Sequence, residues 1–156
     1  MSYTTVYELY KTKVNSIKEL KNSHGSMPAI CEYVSLKLYK QSFKSYEAEK
    51  NGFWGSYRSK ELTINERMVL LSTYDLAYIP TEYLYEYAEA CEEVHKSILE
   101  YTTFGWSHFK DIGEIAKNLS GRHDPRLKGL CIGCTSVSDP WEFADVSKTP
   151  VWPVFV

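Results

Sequence analysis

The segment from Thr81 to Tyr101 constrains the chain more than any other. Leu84, Tyr87 with Ala88, Cys91, His95 and Ile98 return every three or four residues, and Glu82, Glu86, Glu89 and Glu93 form the opposite stripe. That period satisfies the backbone and buries the apolar seam only as a helix laid on a core. Pro80 stops the segment before it, and Thr81 stands where a cap is needed. Four glutamates at helical spacing repel by about 0.2–0.5 kcal/mol per pair, so basic neighbours are expected against this helix.

Similar patterns predict further helices. Residues 4–21 place Val6, Tyr10, Val14, Ile17 and Leu20 on one stripe, with Lys11, Lys13, Lys18 and Lys21 mostly off it. Asn22-Ser23-His24-Gly25 breaks that pattern. Ser26 then reads as an N-cap with Pro28 in the first turn of a second helix, which runs to about Gln41 with Ile30, Tyr33, Val34 and Leu38 inward. Thr63-Ile64-Asn65-Glu66 is a capping box and opens a helix ended by Pro80. Trp106, Phe109, Ile112, Ala116 and Leu119 mark a helix over about 105–119, with Gly121 as its stop. Between the second and third of these, Phe43, Tyr46, Phe53, Trp54 and Tyr57 crowd around Gly52 and Gly55, which reads as a loop pinned by rings.

The character changes after the last helix. Arg122-His123-Asp124-Pro125-Arg126 is a polar loop, and Leu130 to Val137 reads as a short strand. Asp139-Pro140 turns the chain. Val151 to Val156 is an apolar arm whose prolines restrict it to an edge or a docked, extended position. The expected fold is therefore mainly α: about five helices around one core with a small C-terminal β element. Residues 1–156 are expected to form a single helical domain with a C-terminal strand and extended arm over about 127–156. The arm is expected to dock on the helical body, because its five large apolar side chains would otherwise stand in water.

Charge narrows the function classes. The net charge is −2, which gives the chain as a whole no nucleic-acid footprint. Residues 1–60 hold ten Lys/Arg against five Asp/Glu, and residues 61–102 hold two against nine. The plainest account places the basic N-terminal part beside the acidic helix; a bipolar surface that steers a charged partner is the functional alternative. Met1-Ser2-Tyr3-Thr4-Thr5 is not the basic start of a signal peptide, and no apolar stretch reaches membrane-spanning length. A cytoplasmic location with reduced cysteines is the expectation.

No catalytic constellation is complete. Cys131 and Cys134 have the spacing of a metal knuckle or a redox pair, but no second pair accompanies them, and His108 and His123 stand at no recognised spacing. Glu92 to His95 is a single Glu-x-x-His, where a carboxylate-bridged di-metal site needs two. Cys134, Ser136 and Ser138 lie near His123 and Asp139 without a nucleophile elbow, and Gly129 and Gly133 open a strand and not a phosphate loop. No metal and no cofactor is expected. Arg122, His123, Arg126 and Lys128 form a local basic cluster suited to phosphate or carboxylate. With Cys134, Ser136 and Trp141 they make the least generic stretch of the chain and the candidate ligand-binding set.

Met27-Pro28-Ala29-Ile30, Trp106-Ser107-His108-Phe109 and Cys134-Thr135-Ser136-Val137-Ser138-Asp139-Pro140-Trp141 occur in that order. From about Pro28 to Trp141 the chain resembles a small family of uncharacterised proteins of large tailed bacteriophages. The resemblance implies an accessory protein made in the host cytoplasm and brings no activity or catalytic residues with it. The expected function is binding or sequestering a host macromolecule or a small anionic ligand, without catalysis. A homodimer is compatible with it; a membrane or nucleic-acid partner is not expected. The alternative is a small enzyme or metal-binding protein using Arg122 to Trp141.

Overall fold

A computed structural model describes residues 3–21, 26–44, 52–74, 77–101 and 108–134. Among them the chain forms a four-stranded antiparallel sheet with four α-helices, and the mainly α expectation is corrected. In chain order the elements are β1 (Tyr3–Tyr10), β2 (Val14–Lys21), α1 (Ser26–Tyr39), a 3-10 turn (Phe53–Arg58), α2 (Ile64–Tyr74), β3 (Ala77–Pro80), a second 3-10 turn (Thr81–Tyr83), α3 (Leu84–Tyr101), α4 (His108–Arg122) and β4 (Leu127–Cys134). The strand order is β2-β1-β4-β3, so the last strand inserts between the first and the third.

The largest correction concerns residues 4–21, which form a hairpin and not a helix. β1 is rich in β-branched and aromatic residues, Tyr3-Thr4-Thr5-Val6-Tyr7, which suit a pleated surface. The Tyr10 N–H donates to the Lys13 carbonyl at 2.9 Å and closes the turn through Lys11-Thr12. β1 lies between β2 and β4, and its residues 4–9 are all buried. A strand buried on both faces shows no alternation of polar and apolar residues, so the stripe at helical spacing was coincidental. The helix expected to reach Pro80 stops at Tyr74, and Ala77–Pro80 is a short edge strand paired with β4, a position that tolerates proline.

The other helices follow their patterns. α1 buries Ile30, Tyr33 and Val34, with Leu38 packed against the core, and ends at Lys40, whose φ of 58° is a left-handed stop. The capping box forms: the Glu66 N–H donates to Thr63 Oγ1 at 3.1 Å and the Thr63 N–H to Glu66 Oε1 at 2.9 Å. The aromatic segment is pinned by Phe53, buried beneath Phe43 at a centroid distance of 4.9 Å. Gly52, at φ 65°, starts its 3-10 turn in the left-handed conformation that glycine supplies. α3 buries its seam against α2 and α4, and α4 buries Phe109, Ile112, Ala116 and Leu119. These helices share one core with Val6, Leu20, Ile79, Leu130 and Ile132 from one face of the sheet. Of the acidic stripe, Glu89 lines a groove with Lys110 and Lys117 of α4, while Glu93 accepts from Asn65 Nδ2 of α2 at 2.7 Å.

His108, at the start of α4, is buried, and burial lowers its pKa from 6.5 to about 4 against the opposing effect of a hydrogen bond with the Lys21 backbone. The folded-state pKa is depressed, so the contribution to stability is fully present above pH 6.5 and is lost as pH falls from 6.5 through 4. A shift of that size corresponds to about 3 kcal/mol. Urea unfolding at pH 7 and pH 4.5 should show a loss of this order in the native chain and a smaller one in His108→Gln.

The expected strand at 130–137 is found as β4, which starts earlier, at Leu127. Residues 135–137, the Asp139-Pro140 turn and the Val151–Val156 arm lie outside the described residues. No described helix is long and apolar enough to cross a membrane.

Candidate functional site

One departure from regular strand pairing shapes one end of the sheet. Leu9 pairs with Gly129 and Tyr10 with Leu127, so Lys128 is the extra residue of a β-bulge in β4. The bulge leaves Lys128 exposed between buried Leu127 and buried Gly129. It works only with glycine beside it, since a Cβ on Gly129 would stand 2.1 Å from the Ile79 carbonyl oxygen. The hairpin turn brings Lys11 and Lys13 to the same end, and α4 stops there at Arg122 because His123 takes φ 51°. His123 therefore acts as the helix stop expected of Gly121.

An open groove of about 530 Å³ lies between these pieces, lined by Tyr10, Lys11, Thr12, Lys13, Pro125, Arg126 and Lys128. Its charges divide into held and unheld groups. Arg122 Nη1 stands 3.5 Å from Glu8 Oε2, and the Tyr10 hydroxyl donates to the same oxygen at 3.0 Å. Burial, and then the bond to Glu8, raise the Tyr10 pKa above its ordinary value. Asp124 accepts from Arg126 Nε and Nη2, each at 3.2 Å, and from the Arg126 N–H at 2.9 Å. That fork fixes the Arg126 side chain and holds the Asp124 carboxyl below its usual range. Lys13 Nζ lies 5.2 Å from the Tyr10 ring centroid, a cation–π contact. No ion pair engages the ammonium groups of Lys11, Lys13 or Lys128 among the described residues. Five cations (Lys11, Lys13, Arg122, Arg126 and Lys128) thus face two carboxylates, Glu8 and Asp124. This end attracts anions and offers lysines able to turn toward them.

Of the residues singled out in the sequence, Arg126 and Lys128 line this groove, and Arg122 and His123 stand beside it. Cys134 is at the other end of β4, paired with Thr4 and six residues beyond Lys128, a separation of roughly 20 Å along the strand. Ser136 and Trp141 lie outside the described residues. Tyr10, Lys11 and Lys13 were not singled out as site residues; the lysine surplus of the N-terminal part was their only signal. Cys31, Cys91 and Cys131 are buried, and burial pushes each thiol up to about 12, which keeps them protonated at neutral pH. His95 lies at the groove between α3 and α4, and burial lowers its pKa. Among the described residues no three His, Cys, Asp or Glu side chains gather as metal ligands. The chain matches no family model, no curated protein and no solved structure.

Proposed function

We propose that this protein is a binding protein, an accessory factor of the bacteriophage type, whose basic sheet end captures a small phosphate-bearing anion. The supporting observation is the groove itself. Lys11 and Lys13 from the hairpin, and Arg126 and Lys128 from the chain around the β4 bulge, meet beside Tyr10. Lysine ammonium groups serve phosphate as mobile point charges, while the Asp124 fork keeps Arg126 in place. The concave shape favours a small anion over the flat acidic surface of a host protein.

Calorimetry with pyrophosphate and a panel of nucleoside diphosphates and triphosphates tests this. Saturable one-to-one binding is expected, weaker at 0.15 M salt than at about 0.05 M, because exposed charges are screened. A charge-assisted contact is worth about 1.5–3 kcal/mol, so Lys11→Glu with Lys128→Glu should weaken binding at least about tenfold. No binding by any member of the panel, or binding unchanged by the double reversal, contradicts the proposal.

A further inference from the structure

The outward face of α3 carries a pattern that neither the core nor the anion-binding end uses. Tyr85, Glu89, Glu92, Lys96 and Leu99 follow one another three or four residues apart, and each is exposed. At 3.6 residues per turn they stay within about 80° of arc, so they form one stripe along nearly the whole helix. Tyr85 is 55% exposed and Leu99 38%. Exposed apolar side chains scattered singly are ordinary. These two instead stand at the two ends of a charged stripe.

The stripe is self-complementary. Glu92 is its midpoint, seven residues from Tyr85 and seven from Leu99. Turning a second α3 end for end about Glu92 sets Tyr85 against Leu99, and Glu89, within one residue, opposite Lys96. A two-fold axis makes each of those pairs twice. A parallel pairing would instead stack Glu89 on Glu89, Glu92 on Glu92 and Lys96 on Lys96, so charge selects the antiparallel one. Only the two Glu92 carboxylates meet as like charges at the axis, and each has its own Lys96 Nζ at 3.5 Å.

α4 extends this surface. A Cβ on Gly113 would stand 3.0 Å from Cys91 Cβ, so the two helices lie close and share an outer face. The groove between them, of about 380 Å³, adds Lys110, Glu114 and Lys117. Glu89, Glu92 and Glu114 are thereby balanced by Lys96, Lys110 and Lys117, and an approaching copy meets no net repulsion. A partner of a single charge sign finds no such complement.

We infer that the α3–α4 face is the interface of a homodimer, in which α3 packs antiparallel on its copy about a two-fold axis at Glu92, pairing Tyr85 with the partner's Leu99 and Glu89 with the partner's Lys96. The inference does not rest on the anion-binding reading, since none of these residues lines that groove.

Sedimentation velocity of the full chain, from low micromolar to submillimolar concentration, tests this. Exposed ion pairs are individually weak, so a reversible dimer that loosens at high salt is expected. Glu89→Lys and Lys96→Glu each set like charges against the partner and should raise the dimer Kd at least about tenfold. Both positions are exposed, and circular dichroism checks that each variant stays folded. Mixed in equal amounts, the two variants regain both opposite-charge pairs and should form a heterodimer with nearly the native Kd. A native chain that stays monomeric throughout overturns the inference. So does a dimer indifferent to either reversal, or a mixture that associates no more tightly than each variant alone.

Discussion

Gly129→Ala should lower the melting temperature by about 6–12 °C, among the largest effects of any single substitution in this chain. The new methyl would lie 2.1 Å from the Ile79 carbonyl oxygen and 3.0 Å from a Tyr78 ring carbon. The nearer neighbour is backbone, held in the β3–β4 pairing where Ile79 faces Leu130 and Pro80 faces Gly129. No side-chain rotation relieves it, so β3 must move off β4. Overpacking of this kind costs about 3 kcal/mol, and each kcal/mol is worth roughly 2–4 °C in a chain of this length. The same shift would displace Lys128, so anion binding should weaken as well. Gly121→Ala is the control: a Cβ there meets nothing within 4 Å, and in the last turn of α4 it should be neutral or slightly stabilising. Thermal unfolding followed by circular dichroism checks both.

Glu66→Ala should cost a similar amount for a different reason. The carboxylate is buried, accepts from the Tyr33 hydroxyl, takes Lys37 Nζ at 2.6 Å and 2.7 Å, and closes the capping box at Thr63. Burial raises its pKa and the Thr63 N–H opposes that rise. Truncation strands three donors at once, one of them a partly buried ammonium. Breaking a buried pair costs about 3–5 kcal/mol; Lys37, with 27% of its side chain exposed, can reach water and puts the effect at the lower end. Thr63→Ala removes only the cap and should cost about 1 kcal/mol. Urea unfolding of both variants measures the difference, and equal losses would show that the Lys37–Tyr33 side of the network adds nothing.

What could be read from the sequence depended on how each element is buried. α3 was legible because it presents one buried seam and one wet stripe, and α2 because Thr63 and Glu66 announce its start. β1 was not, because both its faces are covered and no alternation survives. Its turn was hidden too: Lys11-Thr12 lacks the glycine or asparagine that usually marks a two-residue hairpin. β3 has only four residues and ends in Pro80, so it was absorbed into the helix before it. The same blind spot divided the candidate site. Arg122, Arg126 and Lys128 are neighbours in sequence and were visible as a cluster. Tyr10, Lys11 and Lys13 reach them only through the β1–β4 pairing, which joins the two ends of the described chain.

The central claim is that the hairpin turn and the β4 bulge form one anion-binding end. Titrating the isotope-labelled full chain with pyrophosphate while following backbone amide and lysine ammonium resonances tests it directly. Saturable shifts at Tyr10, Lys11, Lys13, Arg126 and Lys128, with the α3–α4 groove unmoved, are the predicted result. Shifts centred on Lys96, Lys110 and Lys117, or none that saturate, would contradict it.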